Sequence, residues 1–154
     1  MIRISYKDVA PGAYQAMLGL ERCVGESGLD HSLLELVRMR ASQLNGCAFC
    51  LDMHGKDALA AGETPQRLLG LSAWRDAPFY TDRERAALAW TEVVTHVGPS
   101  GVPEDVFRDA RERFDDRQLV DLTMAIIAIN GWNRLAIAFQ SPEAGSHVAV
   151  ARKR

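Results

Sequence analysis

The chain has 154 residues, 47% hydrophobic and 25% charged, with 18 basic against 20 acidic side chains and a formal net charge of −2. Such a composition describes one globular domain over residues 1–154 with a genuine core, and it excludes a disordered or fibrous chain. The near-balance of charge gives no bulk attraction to phosphate backbones or anionic membranes, so nucleic acid is not an expected partner.

The opening Met-Ile-Arg-Ile-Ser-Tyr-Lys-Asp lacks the basic start, apolar stretch and small-residue cleavage site of a secretory leader. No uninterrupted apolar run has the length of a bilayer span, so a cytosolic protein is expected. Three cysteines are too few for a disulfide scaffold, yet Cys47 and Cys50 stand only two residues apart. In a reducing compartment that spacing points to redox chemistry or metal binding.

The first helix is predicted from Pro11 to about Cys23, since Pro11 suits a first-turn position and Tyr14, Met17, Leu18 and Glu21 follow at helical spacing. Gly25 and Gly28 break it. Asp30 is the expected N-cap of a second helix ending near Leu44, with an apolar face of Leu33, Leu36, Val37, Ala41, Leu44 and the stem of Arg40. Asn45-Gly46 terminates it, and a third helix runs from about Cys47 to Ala61, with Gly62 beyond its end.

Thr64-Pro65 opens a short fourth helix. Thr81 and Glu84 match a capping box for a fifth over Asp82–Val97, and Gly-Pro-Ser-Gly after Val97 forms a loop. Pro103 opens a sixth helix to about Phe114. Asp115 and Gln118 cap a seventh reaching Phe139. No segment sustains period-two alternation, so the expected fold is all-α, with about seven helices.

The seventh helix is apolar nearly all round, carrying Leu119, Leu122, Ile126, Ile129, Trp132 and Ile137 among others. A domain this small seldom surrounds such a helix alone, so a homo-oligomer sharing part of this surface is expected. Residues 141–154 mix Pro, Gly and small polar residues and read as a loose tail. Its basic Ala-Arg-Lys-Arg end carries no assigned function.

Chemistry concentrates between Glu35 and His54. At about 100° per residue, Cys50 lies roughly 60° and His54 roughly 20° from Cys47 around the helix axis, so all three share one face. The positive helix start, the imidazole and the neighbouring thiol each lower the cost of a thiolate. A peroxide attacked by that thiolate leaves a sulfenic acid, which a second cysteine one turn away condenses to a disulfide.

Glu35, eleven intervening residues, then Cys47-x-x-Cys50-x-x-x-His54 resembles the core motif of the alkylhydroperoxidase D and carboxymuconolactone decarboxylase superfamily. Thr81-Asp82-Arg83-Glu84 and the Ile-Asn-Gly-Trp-Asn-Arg stretch at 129–134 extend the resemblance over most of the chain. It implies an AhpD-like all-helical fold, trimers or hexamers, and an antioxidant dithiol peroxidase acting on hydrogen peroxide or organic hydroperoxides without a cofactor. It also implies re-reduction by a lipoylated or thioredoxin-like partner.

By the same analogy Cys47 and Cys50 form the redox pair, with Glu35 and His54 as its proton-relay groups. Cys50 meets the peroxide, and Cys47 resolves it and is exposed to the reductant; the reverse order stays open. The decarboxylase branch typically lacks the cysteine pair, which favours the redox branch here.

Each residue also has a plainer reading. The cysteines are otherwise two small buried hydrophobes, or with His54 three ligands to zinc that lack a nearby fourth. By pattern alone Glu35 is a solvated carboxylate beside Arg38 and Ser42, opposite the apolar face of its helix. It joins the site through the family spacing, or if another helix or subunit covers that side.

Cys23 matches no motif position, and His31, His96 and His147 have no partner at useful spacing. Trp132, Asn133 and Arg134 are read as support for the site region, and Tyr14, Trp74, Phe79 and Trp90 as core or interface. A redox sensor or oligomeric binding protein that never turns over is the alternative from another class, with a decarboxylase-like enzyme as a third option.

Overall fold

The computed structural model describes residues 2–149. Eight α-helices follow one another among them: α1 (Tyr6–Val9), α2 (Pro11–Gly25), α3 (His31–Asn45), α4 (Ala48–Ala60), α5 (Pro65–Gly70), α6 (Asp82–Thr95), α7 (Glu104–Arg113) and α8 (Asp116–Phe139). A 3₁₀ turn over Leu71–Ala73 follows α5. The one β pairing among the described residues is an isolated bridge between Gly98 and Gly101.

The helix boundaries follow local chemistry. Glu84 N–H donates to Thr81 Oγ1 at 3.2 Å and Thr81 N–H to Glu84 Oε2 at 2.8 Å, closing the capping box of α6. The Asp115 and Gln118 pair repeats the device at the start of α8. Asp30 holds the N-cap position of α3, but its side chain makes no cap hydrogen bond. Helix α1, which the sequence reading did not foresee, is a single turn held by Arg3, whose N–H donates to the Phe139 carbonyl at 2.9 Å.

Helix α3 is the axis of the molecule, with α4, α6 and α8 packed along it and α2 packed on α8. Leu34, Val37, Ala87, Leu122 and Ile126 join in the main core, and Leu36, Leu71 and Leu88 in a second. Leu36, Val37, Leu88, Leu122 and Ile126 are fully buried, and each such side chain contributes roughly 1.5–3 kcal/mol against exposure. A third, smaller cluster brings Cys47 and Cys50 against Ala41, Ile129 and Ala136, so the thiols rest on α3 and α8.

Helix α8 is long and apolar enough to cross a membrane by length and composition, although polar residues such as Asn130 and Asn133 interrupt its apolar stretch. Here it packs against α2, α3 and α6. Val120, Met124, Ile127 and Ile137 remain exposed on it.

The expected tail begins after α8. Its described part, residues 141–149, is not helical and lies along α4. Lys56 Nζ donates to the His147 carbonyl at 3.0 Å, Gly145 N–H to Asp52 Oδ2 at 3.1 Å, and His147 Nε2 stands 2.7 Å from Asp57 Oδ1. The Ala-Arg-Lys-Arg end lies outside the described residues.

Candidate functional site

Only Gly46 and Cys47 separate α3 from α4. Gly46 adopts φ +68° and ψ +34°, a left-handed conformation that glycine enters at little cost. Its N–H donates to the Gln43 carbonyl and that of Cys47 to the Ser42 carbonyl, at 3.2 and 3.0 Å. This closes α3 and delivers Cys47 to the N-cap of α4. Cys50 and His54 then follow on successive turns of α4, as the spacing predicted.

Cys47 closes no regular cap hydrogen bond with its side chain. A negative sulfur is nevertheless favoured there. The Cys50 thiol, the backbone N–H groups of Cys50 and Phe49 and the Asn133 amide outweigh burial and bring Cys47 down to about 7. Cys50 is pushed the other way, because its S–H serves Cys47, burial disfavours its charge and the Cys47 charge repels a second one. The first proton to leave the pair is therefore lost near neutral pH, with the negative charge favoured on Cys47.

His54 is 8% exposed and Glu35 3%. His54 Nδ1 lies 2.9 Å from Glu35 Oε2. An ionised carboxylate only accepts, so Nδ1 carries the hydrogen and Nε2 is left as the basic nitrogen. Glu35 Oε1 accepts from Arg38 Nη1 at 2.8 Å, Arg38 Nη2 donates to Glu21 Oε2 at 3.0 Å, and Trp132 Nε1 donates to Glu21 Oε1 at 3.0 Å. Burial opposes the charge of Glu35. The His54 hydrogen bond and the charges of His54, Arg38 and His31 still hold its carboxyl below the usual value.

The pattern-based reading of Glu35 as a solvated carboxylate is thus corrected. Helix α3 is covered on its polar side too, by His54 of α4 and by the α2 carboxylate of Glu21 acting through Arg38. Two histidines are corrected with it. His31 Nε2 lies 3.6 Å from Glu35 Oε1, one turn away on α3, and His147 meets Asp57.

A cavity of about 810 Å³ opens on this cluster, and Cys50, His54, Glu35 and Arg38 form part of its wall together with the aromatic side chains of Tyr14 and Trp132. Cys47 is not on that wall and is 1% exposed. The sequence reading had it exposed to a reductant; in this dithiol form its sulfur is enclosed with Ile129 and Ala136. Among the described residues no group of three His, Cys, Asp or Glu side chains is disposed to hold a metal.

Asn133 was read from the sequence only as support. It is fully buried, donates to Ser42 Oγ at 3.0 Å and accepts from Asn45 Nδ2 at 2.9 Å, and its amide favours the charged form of both thiols. The available signal was an asparagine within the mostly apolar stretch 124–139 of α8, which needs polar partners once buried. Cys23 lies exposed on α2.

The helical fold and this arrangement of two thiols, an imidazole and a carboxylate define an AhpD-like protein. The carboxymuconolactone decarboxylase family model matches residues 11–93, and the chain belongs to that family. An uncharacterised Bacillus subtilis protein, YdfG, is 42% identical over 136 residues, 88% of this chain and 92% of its own length.

A crystal structure from Agrobacterium tumefaciens, of a protein of unknown function suggested to be an antioxidant defence protein AhpD, matches with a TM-score of 0.88. It shares 44% identity and covers 92% of this chain and 97% of its own. The debrominase Bmp8, solved with 2,3,4-tribromopyrrole, shares the fold at 18% identity and a TM-score of 0.76, over 90% of this chain and 74% of its own.

Proposed function

We propose that this chain is a dithiol peroxidase that reduces hydrogen peroxide or organic hydroperoxides through a Cys47/Cys50 disulfide cycle. The observation that carries the reading is the shared cavity wall of Cys50, His54 and Glu35, with the imidazole already oriented by the carboxylate at 2.9 Å.

The dithiol first loses one proton, which His54 Nε2 accepts. The remaining proton moves from Cys50 to Cys47, leaving the thiolate on the cavity-facing sulfur. Cys50 attacks the terminal peroxide oxygen: the S–O bond forms, the O–O bond breaks, and sulfur is oxidised by two electrons to the sulfenic acid. The departing oxygen takes the proton held on His54 and leaves as alcohol or water. Cys47 then attacks the Cys50 sulfur, closing the disulfide and releasing water.

A dithiol reductant must return two electrons. Cys47 and Cys50 are each 1% exposed, so the reductant must enter the cavity, which favours a slender lipoyl arm over the broad surface of a thioredoxin-like partner. Such a cycle suits the reducing cytosol. The test is peroxide consumption under excess dihydrolipoamide. Many equivalents consumed per subunit support the enzyme, whereas one equivalent and then arrest indicates a sensor that switches once.

A further inference from the structure

The peroxidase reading leaves one partner unassigned: the group that meets the departing oxygen while charge builds on it. We infer that the Tyr6 hydroxyl is that group, a hydrogen-bond donor to the leaving oxygen of an organic hydroperoxide bound in the cavity; the inference rests on the peroxidase reading.

Tyr6 shares the cavity wall with Cys50 and His54. Among the described residues its hydroxyl has no hydrogen-bond partner, and no fully buried side-chain oxygen or nitrogen there goes unpaired, so this hydroxyl is accessible on a residue that lines the cavity. Its ring is fixed on both sides, with centroids 6.1 Å from Tyr14 and 6.2 Å from Phe139, and Tyr14 packs edge-on against Trp132 at 5.9 Å. The turn that carries it is tied by Arg3 N–H to the Phe139 carbonyl at 2.9 Å. A donor without a partner is therefore held between two aromatic rings on the wall of the cavity that Cys50 also lines.

Electrostatics agree with a donor role. Burial, then the neighbouring phenol of Tyr14, then the charges of Cys50 and Cys47 raise the pKa of Tyr6. Tyr6 thus stays an O–H group at neutral pH and lies within the electrostatic reach of both sulfurs. As Cys50 attacks, negative charge moves from sulfur to the departing alkoxide oxygen, and a preorganised donor aimed at developing charge stabilises the transition state. The proton that completes the alcohol still comes from His54, so Tyr6 ends each cycle unchanged.

The cavity also speaks to substrate. Its volume of about 810 Å³ and aromatic lining fit a branched or ring-bearing hydroperoxide, and hydrogen peroxide would leave most of it to water. A phenol adjacent to the O–O bond matters most where the leaving oxygen is a basic alkoxide and least where it is a carboxylate.

The test is Tyr6→Phe, which keeps the ring, assayed as disulfide formation with tert-butyl hydroperoxide, cumene hydroperoxide and peracetic acid, with Tyr14→Phe in parallel. The expected result is a loss of roughly a hundredfold with the two alkyl hydroperoxides, little loss with peracetic acid, and no dependence on the leaving group for Tyr14→Phe. Equal loss with all three oxidants would mark Tyr6 as structural and overturn the inference, as would an unchanged rate. A wild type inert to every oxidant would instead defeat the peroxidase reading itself.

Discussion

His54 Nδ1 and Glu35 Oε2 meet at 2.9 Å, between two side chains 8% and 3% exposed. That bond fixes the tautomer of the imidazole and leaves Nε2 as its basic nitrogen. His54→Asn is expected to slow peroxide-driven disulfide formation by about 10²–10⁴-fold, the range for a lost general base. Glu35→Gln, which keeps the shape but cannot stabilise the imidazolium, should lower the rate in the same direction. Stopped-flow tryptophan fluorescence reads both.

The low pKa of Cys47, about 7, depends first on the Cys50 thiol. Cys50→Ala should move the Cys47 titration upward, toward the ordinary value of 9.0, as followed by thiolate ultraviolet absorbance. A midpoint that stays near 7 in the variant would mean that the N–H groups at the start of α4 suffice alone.

The order of the cysteines is open to direct trapping. Cys47→Ser removes the resolving thiol, so peroxide should leave a Cys50 sulfenic acid that dimedone captures. Cys50→Ser should yield no cavity-facing sulfenic acid, and neither variant should turn over. A dimedone adduct on Cys47 in the Cys50→Ser protein, at the rate seen for the other variant, would reverse the order.

Glu35 also makes an acid-stability prediction. Its carboxyl is held below the usual 4.5 in the folded chain, so its stabilising contribution is complete above that value and is lost as pH falls through the lower folded value. The Tm gap between wild type and Glu35→Gln should narrow as pH falls below about 4.5. Calorimetry across that window checks the sign.

Much of this fold was legible because its signals are local. Two capping boxes, Thr81/Glu84 and Asp115/Gln118, mark helix starts by chemistry confined to four residues, and Cys47, Cys50 and His54 share a face by helical arithmetic alone. Glu35 was misjudged on pattern because α3 is enclosed on several sides, so its polar side is interior as well, and periodicity cannot register that. Helix α1 escaped since one turn gives no window for a periodic signal. The contact of His147 with Asp57 spans ninety residues and leaves no local trace.

The measurement that bears most directly on the central claim is a thiol count on the pure reduced protein before and after one equivalent of organic hydroperoxide. Peptide mapping then locates any disulfide, and peroxide consumption is followed under excess dihydrolipoamide. The account predicts the loss of two thiols as a Cys47–Cys50 disulfide, Cys23 unchanged, and consumption sustained over many turnovers. Thiols that survive the peroxide intact would contradict it.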